Sequence, residues 1–257
     1  MRRVLITGGA GRIGSLLTRR LAGDYAVRSF DVAAQQPVDG VETIRGLISD
    51  LDAVTEACAG VDVVIHLAAI PSESVWEDLV RVNLDGTRTV LEAARLAGVP
   101  KVILASSIHA AGFRSPTAPP LPASSAPRPD TFYGWTKAAV ESLGSLYSDR
   151  FGMTVFAVRI GAFQETPWTE VDVPIWLSPG DCVRLMRALV ETPVTGFRVV
   201  WGVSNNSSGW LEPDSELGYA PEDDSATVAH LAAPSDAAAH THLGGTFTAL
   251  PLGKPRW

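Results

Sequence analysis

Val4-Leu5-Ile6-Thr7-Gly8-Gly9-Ala10-Gly11-Arg12-Ile13-Gly14 is the stretch on which the fold turns. Its first three residues form a short apolar run of the kind a buried strand needs. Glycines follow, and then Ile13, Leu16, Leu17 and Leu21 recur at the three- and four-residue spacing of a helix. Strand, glycine turn and helix in that order bring backbone N–H groups to the positive end of a helix, where the missing side chains let a pyrophosphate approach the chain. The next strand closes on Asp31, whose carboxylate is placed to accept both hydroxyls of a ribose. The same carboxylate repels a 2′-phosphate, and Val32-Ala33-Ala34 offer no arginine to hold one, so the cofactor reads as NAD rather than NADP.

Outward from this unit the same alternation continues. Residues 25–31 and 41–44 read as strands, 51–58 as a helix and 61–67 as an apolar strand. A helix over 80–97, a strand over 101–106, a helix starting near Tyr133 and a strand over 154–159 complete the pattern. Strands alternating with helices predict a parallel sheet covered on both faces, an α/β fold of the Rossmann type with a doubly wound sheet. Residues 1–257 are read as a single domain, with a small C-terminal substrate-binding part whose elements fall mainly within 162–257. There Ser178-Pro179-Gly180-Asp181 reads as a capping box opening a helix, residues 197–201 as the last strand, and the tail from Ser204 as turn-rich. The loop over 115–130, rich in proline and serine, is longer than a connection requires.

Composition narrows the function. At 257 residues the chain is long enough for a real core and an enclosed site. The net charge of −7 is spread along the sequence with no basic tract, which argues against a nucleic-acid partner. No apolar run approaches membrane-spanning length, and the one after Met1-Arg2-Arg3 is too short for a secretory signal, so a cytoplasmic protein without a membrane partner is expected. Cys58 and Cys182 lack a pairing motif and read as buried thiols. His230, His240 and His242 read as surface residues, and His240-x-His242 has no carboxylate or thiolate cluster beside it, so no metal site is expected. The partner is a small-molecule substrate, and the sequence leaves the oligomeric state open, a homo-oligomer included.

Tyr133-Gly134-Trp135-Thr136-Lys137 carries the chemistry. A spacing of four on a helix sets the phenol and the ammonium on one face about a turn apart, and a neighbouring cation lowers a phenol's pKa. The pair follows a strand ending in Ala105-Ser106-Ser107.

With Gly8, Gly11 and Gly14, His66-Leu67-Ala68-Ala69 after a strand, Asn83, Ser107 and the Tyr133/Lys137 pair, the first 165 residues or so resemble the extended branch of the short-chain dehydrogenase/reductase superfamily. That resemblance implies Tyr133 as general acid/base at the reacting oxygen, Ser107 bonded to the same oxygen, and Lys137 on the nicotinamide ribose. It also implies Arg12 and Ile13 in the pyrophosphate turn, Asp50 and Leu51 at the adenine, Leu67, Ala68 and Ala69 along the cofactor, and Asn83 bracing the sheet or a proton relay. The expected activity is therefore NAD-dependent oxidation or reduction of a hydroxyl or carbonyl. The alternatives are an epimerase or dehydratase that retains its cofactor, and a catalytically weak NAD sensor.

A closer likeness, to the uronate dehydrogenases, runs nearly end to end. It rests on Ser106-Ser107-Ile108-His109, Val158-Arg159-Ile160-Gly161, Val199-Val200-Trp201-Gly202 and Gly244-Gly245-Thr246-Phe247. By that likeness the substrate side is built from Pro71, Ile108, His109, Ala162, Trp168 and Val171, with Trp176 enlarging the wall. Four of these depart from the group: Pro71, Ile108, Ala162 and Val171 stand where it carries serine, asparagine, serine and a carboxylate-binding arginine. A sugar carboxylate buried without a charged partner loses several kcal/mol of hydration. The expectation is a less polar pocket, with Arg114 as the available replacement cation.

Overall fold

The structure is a computed structural model that describes residues 1–116, 120–212, 214–236 and 241–255, so His240 lies outside the described residues. Among them, seven parallel strands form one sheet in the order β3-β2-β1-β4-β5-β6-β9. These are β1 (Arg3–Thr7), β2 (Ala26–Asp31), β3 (Glu42–Arg45), β4 (Val63–His66), β5 (Lys101–Ser107), β6 (Thr154–Ile160) and β9 (Phe197–Gly202). A two-stranded pair, β7 (Ala162–Phe163) and β8 (Trp176–Leu177), sits apart from it. Helices α1 (Arg12–Leu21), α2 (Leu51–Ala57), α3 (Trp76–Leu79), α4 (Gly86–Leu96), α5 (Phe132–Phe151) and α6 (Pro179–Glu191) connect the strands.

The run Val4-Leu5-Ile6 is apolar without alternation because β1 is covered on both faces. Side chains alternate along a strand. Val4 and Ile6 therefore join the core under α1 and α6 with Leu17, Leu21, Leu185 and Leu189. Leu5 joins the opposite core with Val54, Val90, Leu91 and Tyr147 from α2, α4 and α5. The chain winds from β1 out to β3 and returns to β4 on the other side of β1, and at such a reversal ligands bind beyond the carboxyl ends of the strands.

Two local readings change in the structure. The helix expected over 80–97 begins earlier, at Trp76, and passes through a widened π turn over Val80–Asp85 before α4. Such turns collect at functional positions, and this one carries Asn83. Before α6, Ser178 caps the helix by accepting from Asp181 N at 2.9 Å, but the reciprocal half of a capping box is missing. The Asp181 carboxylate accepts instead from the backbone N–H groups of Glu222 and Asp223, and Ser178 N donates to the Ser204 hydroxyl. The C-terminal tail thus competes successfully for a group that local spacing assigns to the cap.

The other half of the sheet is stitched by a buried ion pair. Arg159 on β6 meets Glu141 on α5 through both Nε and Nη2 at 2.8 Å, while its Nη1 donates to the carbonyls of Ala123 and Ser125. Ser106 completes the group by donating to Glu141. Removing one partner of such a pair leaves a buried charge unmet. Arg159→Met should cost about 3–5 kcal/mol, read from the denaturant midpoint. The double variant Arg159→Met/Glu141→Leu should lose markedly less, and equal losses would show that the charge pairing contributes nothing.

Candidate active site

The turn between β1 and α1 is closed by contacts that only glycine permits. Gly8 sits at φ +77°, and a Cβ there would lie 2.7 Å from the backbone nitrogen of Ala68; a Cβ at Gly14 would lie 2.0 Å from the Gly8 carbonyl. Gly11 N donates to that carbonyl at 3.0 Å and Gly11 opens α1 in extended conformation. The result is a backbone cradle at a helix N-terminus, bordered by the loop after β4, into which a dinucleotide pyrophosphate fits. The Leu67 and Ala68 backbone borders the turn, and Ile13 packs into the core behind it. Arg12 donates to the Phe163 carbonyl at 3.2 Å and its guanidinium lies over the rings of Phe163 and Trp168.

Asp31 stands at the end of β2 and accepts from Ala10 N at 2.9 Å and Ala33 N at 2.8 Å, which ties the carboxylate to the glycine turn. Sequence reading found no cation here, yet register pairs Asp31 with Arg45 of β3, whose Nε donates to the Val32 carbonyl. A cation brought in by a neighbouring strand leaves no signal in the residues that follow Asp31. Asp50 caps α2 by accepting from Ala53 N, and Leu51 beside it is exposed.

A buried chain links the two sides of the cleft. His66 Nδ1 and the Thr7 hydroxyl are 2.7 Å apart, and His66 Nε2 and the Thr87 hydroxyl 3.0 Å. The Thr87 hydroxyl itself donates to the Asn83 carbonyl, so it accepts from Nε2–H, and Nδ1 accepts from Thr7. Burial, with help from the Lys137 charge, pushes the imidazole down to about 3, so it is neutral. The Asn83 side chain accepts from Ile70 N and donates to the Ile70 carbonyl and to Thr136, clamping the loop of Ala69 and Pro71 against α5.

Ser107, Tyr133 and Lys137 converge where β5 ends. Thr131 caps α5 through Gly134 N and so sets the helix that presents Tyr133 and Lys137. Lys137 Nζ donates to the Ala105 carbonyl at 2.7 Å and lies 5.7 Å from the centre of the Tyr133 ring. The neighbouring ammonium was expected to make the phenol more acidic. Instead burial dominates and pushes Tyr133 up to about 12, against the pull of its hydrogen bond to Ser107, while Asp130 raises it further. Burial also pushes Lys137 down to about 8, with Glu141 working the other way.

His109 follows on the same turn. Its Nδ1 lies 2.7 Å from the Asp130 carboxylate, and its ring stacks on Phe247 at 3.9 Å and meets Tyr133 edge-on. The Asp130 side chain is fully buried, and Gly112, Gly134 and Gly244 pack so closely around it that a Cβ on any of them would collide. Glu73, also buried, accepts from Tyr133 N and from Gly253 N, tying the C-terminal segment to the start of α5. Asp130 and Glu73 escaped the sequence reading. Asp130 sits in a run that looks like ordinary turn and cap chemistry, and Glu73 has no motif around it.

On the substrate side the expected residues separate. Ile108 and Ala162 belong to one apolar cluster with Ile175, Trp201, Leu243 and Trp210. Val171 lines a small cavity with Pro174, Ile175, Trp210, His242 and Leu243, and His242 is half-buried there. Pro71 is exposed. Trp168, expected on this wall, lies over Arg12 beside the glycine turn, and Trp176 is buried with its Nε1 on the Gln164 carbonyl. Arg114, the expected replacement cation, spends its guanidinium on the Ala126 carbonyl. A larger cavity of about 250 Å³, lined by Trp201, Ser204, Asn206 and Tyr219 among others, includes none of Ser107, Tyr133 or Lys137. Among the described residues no cluster of metal-binding side chains is present, and no helix is long and apolar enough to cross a membrane.

A glycine cradle at the β1/β4 reversal beside a buried Ser, Tyr and Lys defines a dinucleotide-dependent oxidoreductase. Residues 4–163 match the NAD dependent epimerase/dehydratase family, and the chain belongs to it. Uronate dehydrogenase from Pseudomonas syringae pv. tomato is 35% identical, over 96% of this chain and 93% of that protein. L-arabinose 1-dehydrogenase (NAD(P)(+)) from Haloferax volcanii is 34% identical, over 89% and 99%. Among solved structures, a mutant uronate dehydrogenase from Agrobacterium tumefaciens complexed with NAD superposes with a TM-score of 0.92 at 32% identity, covering 99% of this chain and 100% of that one. The protein is an NAD-dependent dehydrogenase of the short-chain type.

The depressed Lys137 pKa has a consequence for stability. Below pH 8 the ammonium is charged in both folded and unfolded chains and its burial is a full cost. Between about 8 and the unfolded value near 10.5 the folded state has lost the proton that the unfolded state still holds, so stability rises with pH. The difference in unfolding free energy between wild type and Lys137→Met should therefore climb by up to about 3 kcal/mol across that window. A flat difference would show that Lys137 titrates normally.

Proposed function

We propose that the protein oxidises the C1 hydroxyl of a small sugar to a lactone, in the manner of a uronate dehydrogenase but with an altered substrate pocket. The observation that carries this is the convergence of the Ser107 hydroxyl, the Tyr133 phenol and the Lys137 ammonium, all buried, at the end of β5 beside the Gly8 turn. The cradle of Gly8, Gly11, Arg12 and Gly14 would hold the pyrophosphate, and Asp31 the ribose. Leu67, Ala68, Ala69 and Asn83 would border the cofactor's inner part, with Asp50 and Leu51 at its adenine end. When bound, NAD accepts the hydride that leaves C1.

The residues supply the rest. Ser107 and Tyr133 hold the reacting oxygen between them, and Tyr133 Oη, once the phenol has released its own proton to solvent, takes the substrate's proton as the carbonyl forms. With the phenol held near 12 in the free protein, positive charge beside it is needed for it to release that proton and act as a base. Lys137, fixed on the Ala105 carbonyl, supplies part of that charge. His109 faces the substrate with Nδ1 committed to Asp130, which leaves Nε2 for a sugar hydroxyl. The elements after Ala162 supply the remaining wall, and the cytoplasm is the proposed location.

The substrate differs from a uronate in this reading, because Ile108, Ala162 and Val171 are apolar and Arg114 is engaged elsewhere. A relative named for a neutral pentose, the L-arabinose dehydrogenase, lies at the same level of identity as those named for uronates. Glucuronate and galacturonate should be poor substrates when NADH formation is followed by absorbance, and robust turnover at millimolar concentration would overturn the altered pocket. Tyr133→Phe should lower turnover about a hundredfold or more while leaving NAD affinity by calorimetry intact. Unchanged turnover would remove Tyr133 from the reaction.

A further inference from the structure

We propose that Arg12 is a clasp between the cofactor and the chain beyond β6: its guanidinium meets the pyrophosphate of a bound NAD, and through Phe163 and Trp168 it fastens residues 163–172 when the cofactor is in place. The inference rests on the reading of the turn from Gly8 to Gly14 as the pyrophosphate cradle.

Position follows from the order of the sheet. Arg12 is the first residue of α1, directly after Gly11 at the end of β1. Phe163 lies just beyond the end of β6, and β4 and β5 stand between β6 and β1. Three strand spacings, about 14 Å, separate the two strand ends. Arg12 Nη2 nevertheless donates to the Phe163 carbonyl at 3.2 Å. The contact therefore spans the carboxyl ends of β4 and β5, along which a dinucleotide is laid out in a sheet of this kind.

Electrostatics gives the contact its direction. A positive side chain in the first turn of a helix faces the positive end of the helix dipole, where an acidic one is favoured, and the first turn of α1 holds no acidic residue. Among the described residues the guanidinium meets no carboxylate; it is held by the Phe163 carbonyl and lies 5.7 Å from the centre of the Phe163 ring and 5.6 Å from that of Trp168. Trp168 is 62% exposed, and a cation stacked on so exposed a ring is only weakly held. A pyrophosphate in the cradle offsets the unfavourable charge and offers a charge-assisted partner. The guanidinium fork has donors enough to meet that anion and keep the Phe163 carbonyl.

The chain that Arg12 holds is bonded as one piece. Gln164 Oε1 accepts from Trp168 N, and the Asp172 carboxylate accepts from the backbone N–H and the hydroxyl of Thr169. Ala233 N donates to the Trp168 carbonyl and Glu170 N to the Ala233 carbonyl, which joins the piece to the tail. Arg12 ties it to the glycine turn. By linkage, an anion that strengthens this tie steadies residues 163–172, and the steadied segment tightens cofactor binding by the same factor. On the reading above the chain after Ala162 supplies the substrate wall, so the clasp assembles that wall around a bound cofactor.

Hydrogen exchange and calorimetry test the clasp together. In the wild type, saturating NAD should slow exchange over residues 163–172 by about fivefold. ADP-ribose, which carries the pyrophosphate without the nicotinamide, should do the same. Arg12→Gln, at NAD concentrations that saturate the variant, should abolish the response; Arg12 is exposed, so an unchanged thermal midpoint serves as the check on folding. Arg12→Gln should weaken NAD binding about tenfold and Trp168→Ala about threefold. The double variant should bind NAD no more weakly than Arg12→Gln alone, since Trp168 acts through Arg12. The clasp is overturned, with the cradle left standing, by a response that survives in Arg12→Gln, by a wild-type segment indifferent to NAD that calorimetry shows to be bound, by a response to NAD but not to ADP-ribose, or by losses that add. A wild type that binds no NAD overturns both.

Discussion

The approach of Gly8 to Ala68 is the contact on which the site depends. Two parallel strands, β1 and β4, end side by side where the winding of the sheet reverses, and their following loops must pass within van der Waals reach. Only a residue without a side chain, at positive φ, lets that happen. Behind the contact, Thr7 and His66 bond across the same two strands, and His66 continues through Thr87 to Asn83. Asn83 then grips the Ile70 backbone and Thr136 of α5. A single uninterrupted chain of satisfied polar groups therefore runs from the glycine turn to the helix that carries Tyr133 and Lys137. Cofactor cradle and reacting groups are held in one frame, which is the condition for a geometry accurate to fractions of an ångström.

The site is also a place where burial and charge oppose each other. Tyr133 and Lys137 both sit out of water, and burial drives each toward its neutral form, the phenol upward and the ammonium downward. Glu141 counteracts this at Lys137, and it is itself neutralised by Arg159, so the ion pair that stitches β6 to α5 also sets the charge next to the reacting groups. The free protein is thus poised with a protonated phenol. This arrangement stores the capacity for proton transfer until further positive charge arrives, rather than keeping a phenolate in an apolar cleft at permanent cost.

The sheet was legible because its signals are local and repeated. Val4-Leu5-Ile6, the runs at β4, β5 and β6, and the glycines between β1 and α1 each announce themselves within a few residues. The Tyr133/Lys137 spacing is equally local, since one helical turn converts sequence distance directly into proximity. What the sequence hid was set by tertiary contact. Arg45 reaches the Asp31 end through strand register, Asp130 is enclosed by Gly112, Gly134 and the distant Gly244, and Glu73 accepts a hydrogen bond from Gly253 N. The direction of the Tyr133 shift was misread for the same reason: spacing reveals the neighbouring cation, but the depth of burial that outweighs it is a property of the packed fold.

The surroundings of the reacting groups and the lining at Val171 differ in kind. Near Tyr133 and His109 the protein presents polar groups that are themselves buried, and a ligand that fails to meet them leaves unpaired donors and acceptors behind, a penalty far larger than the loss of a methylene contact. Around Val171 the cavity is lined by Pro174, Ile175, Trp210, His242 and Leu243, with no lysine or arginine among them, so a carboxylate brought there would lose water without gaining an ammonium or guanidinium. Ile108 and Ala162 belong to an apolar cluster built from segments after the sheet edge, while Ser107, Tyr133 and Lys137 hang on β5 and α5. The frame that holds the reacting groups can thus stay fixed while the chain beyond the sheet edge varies.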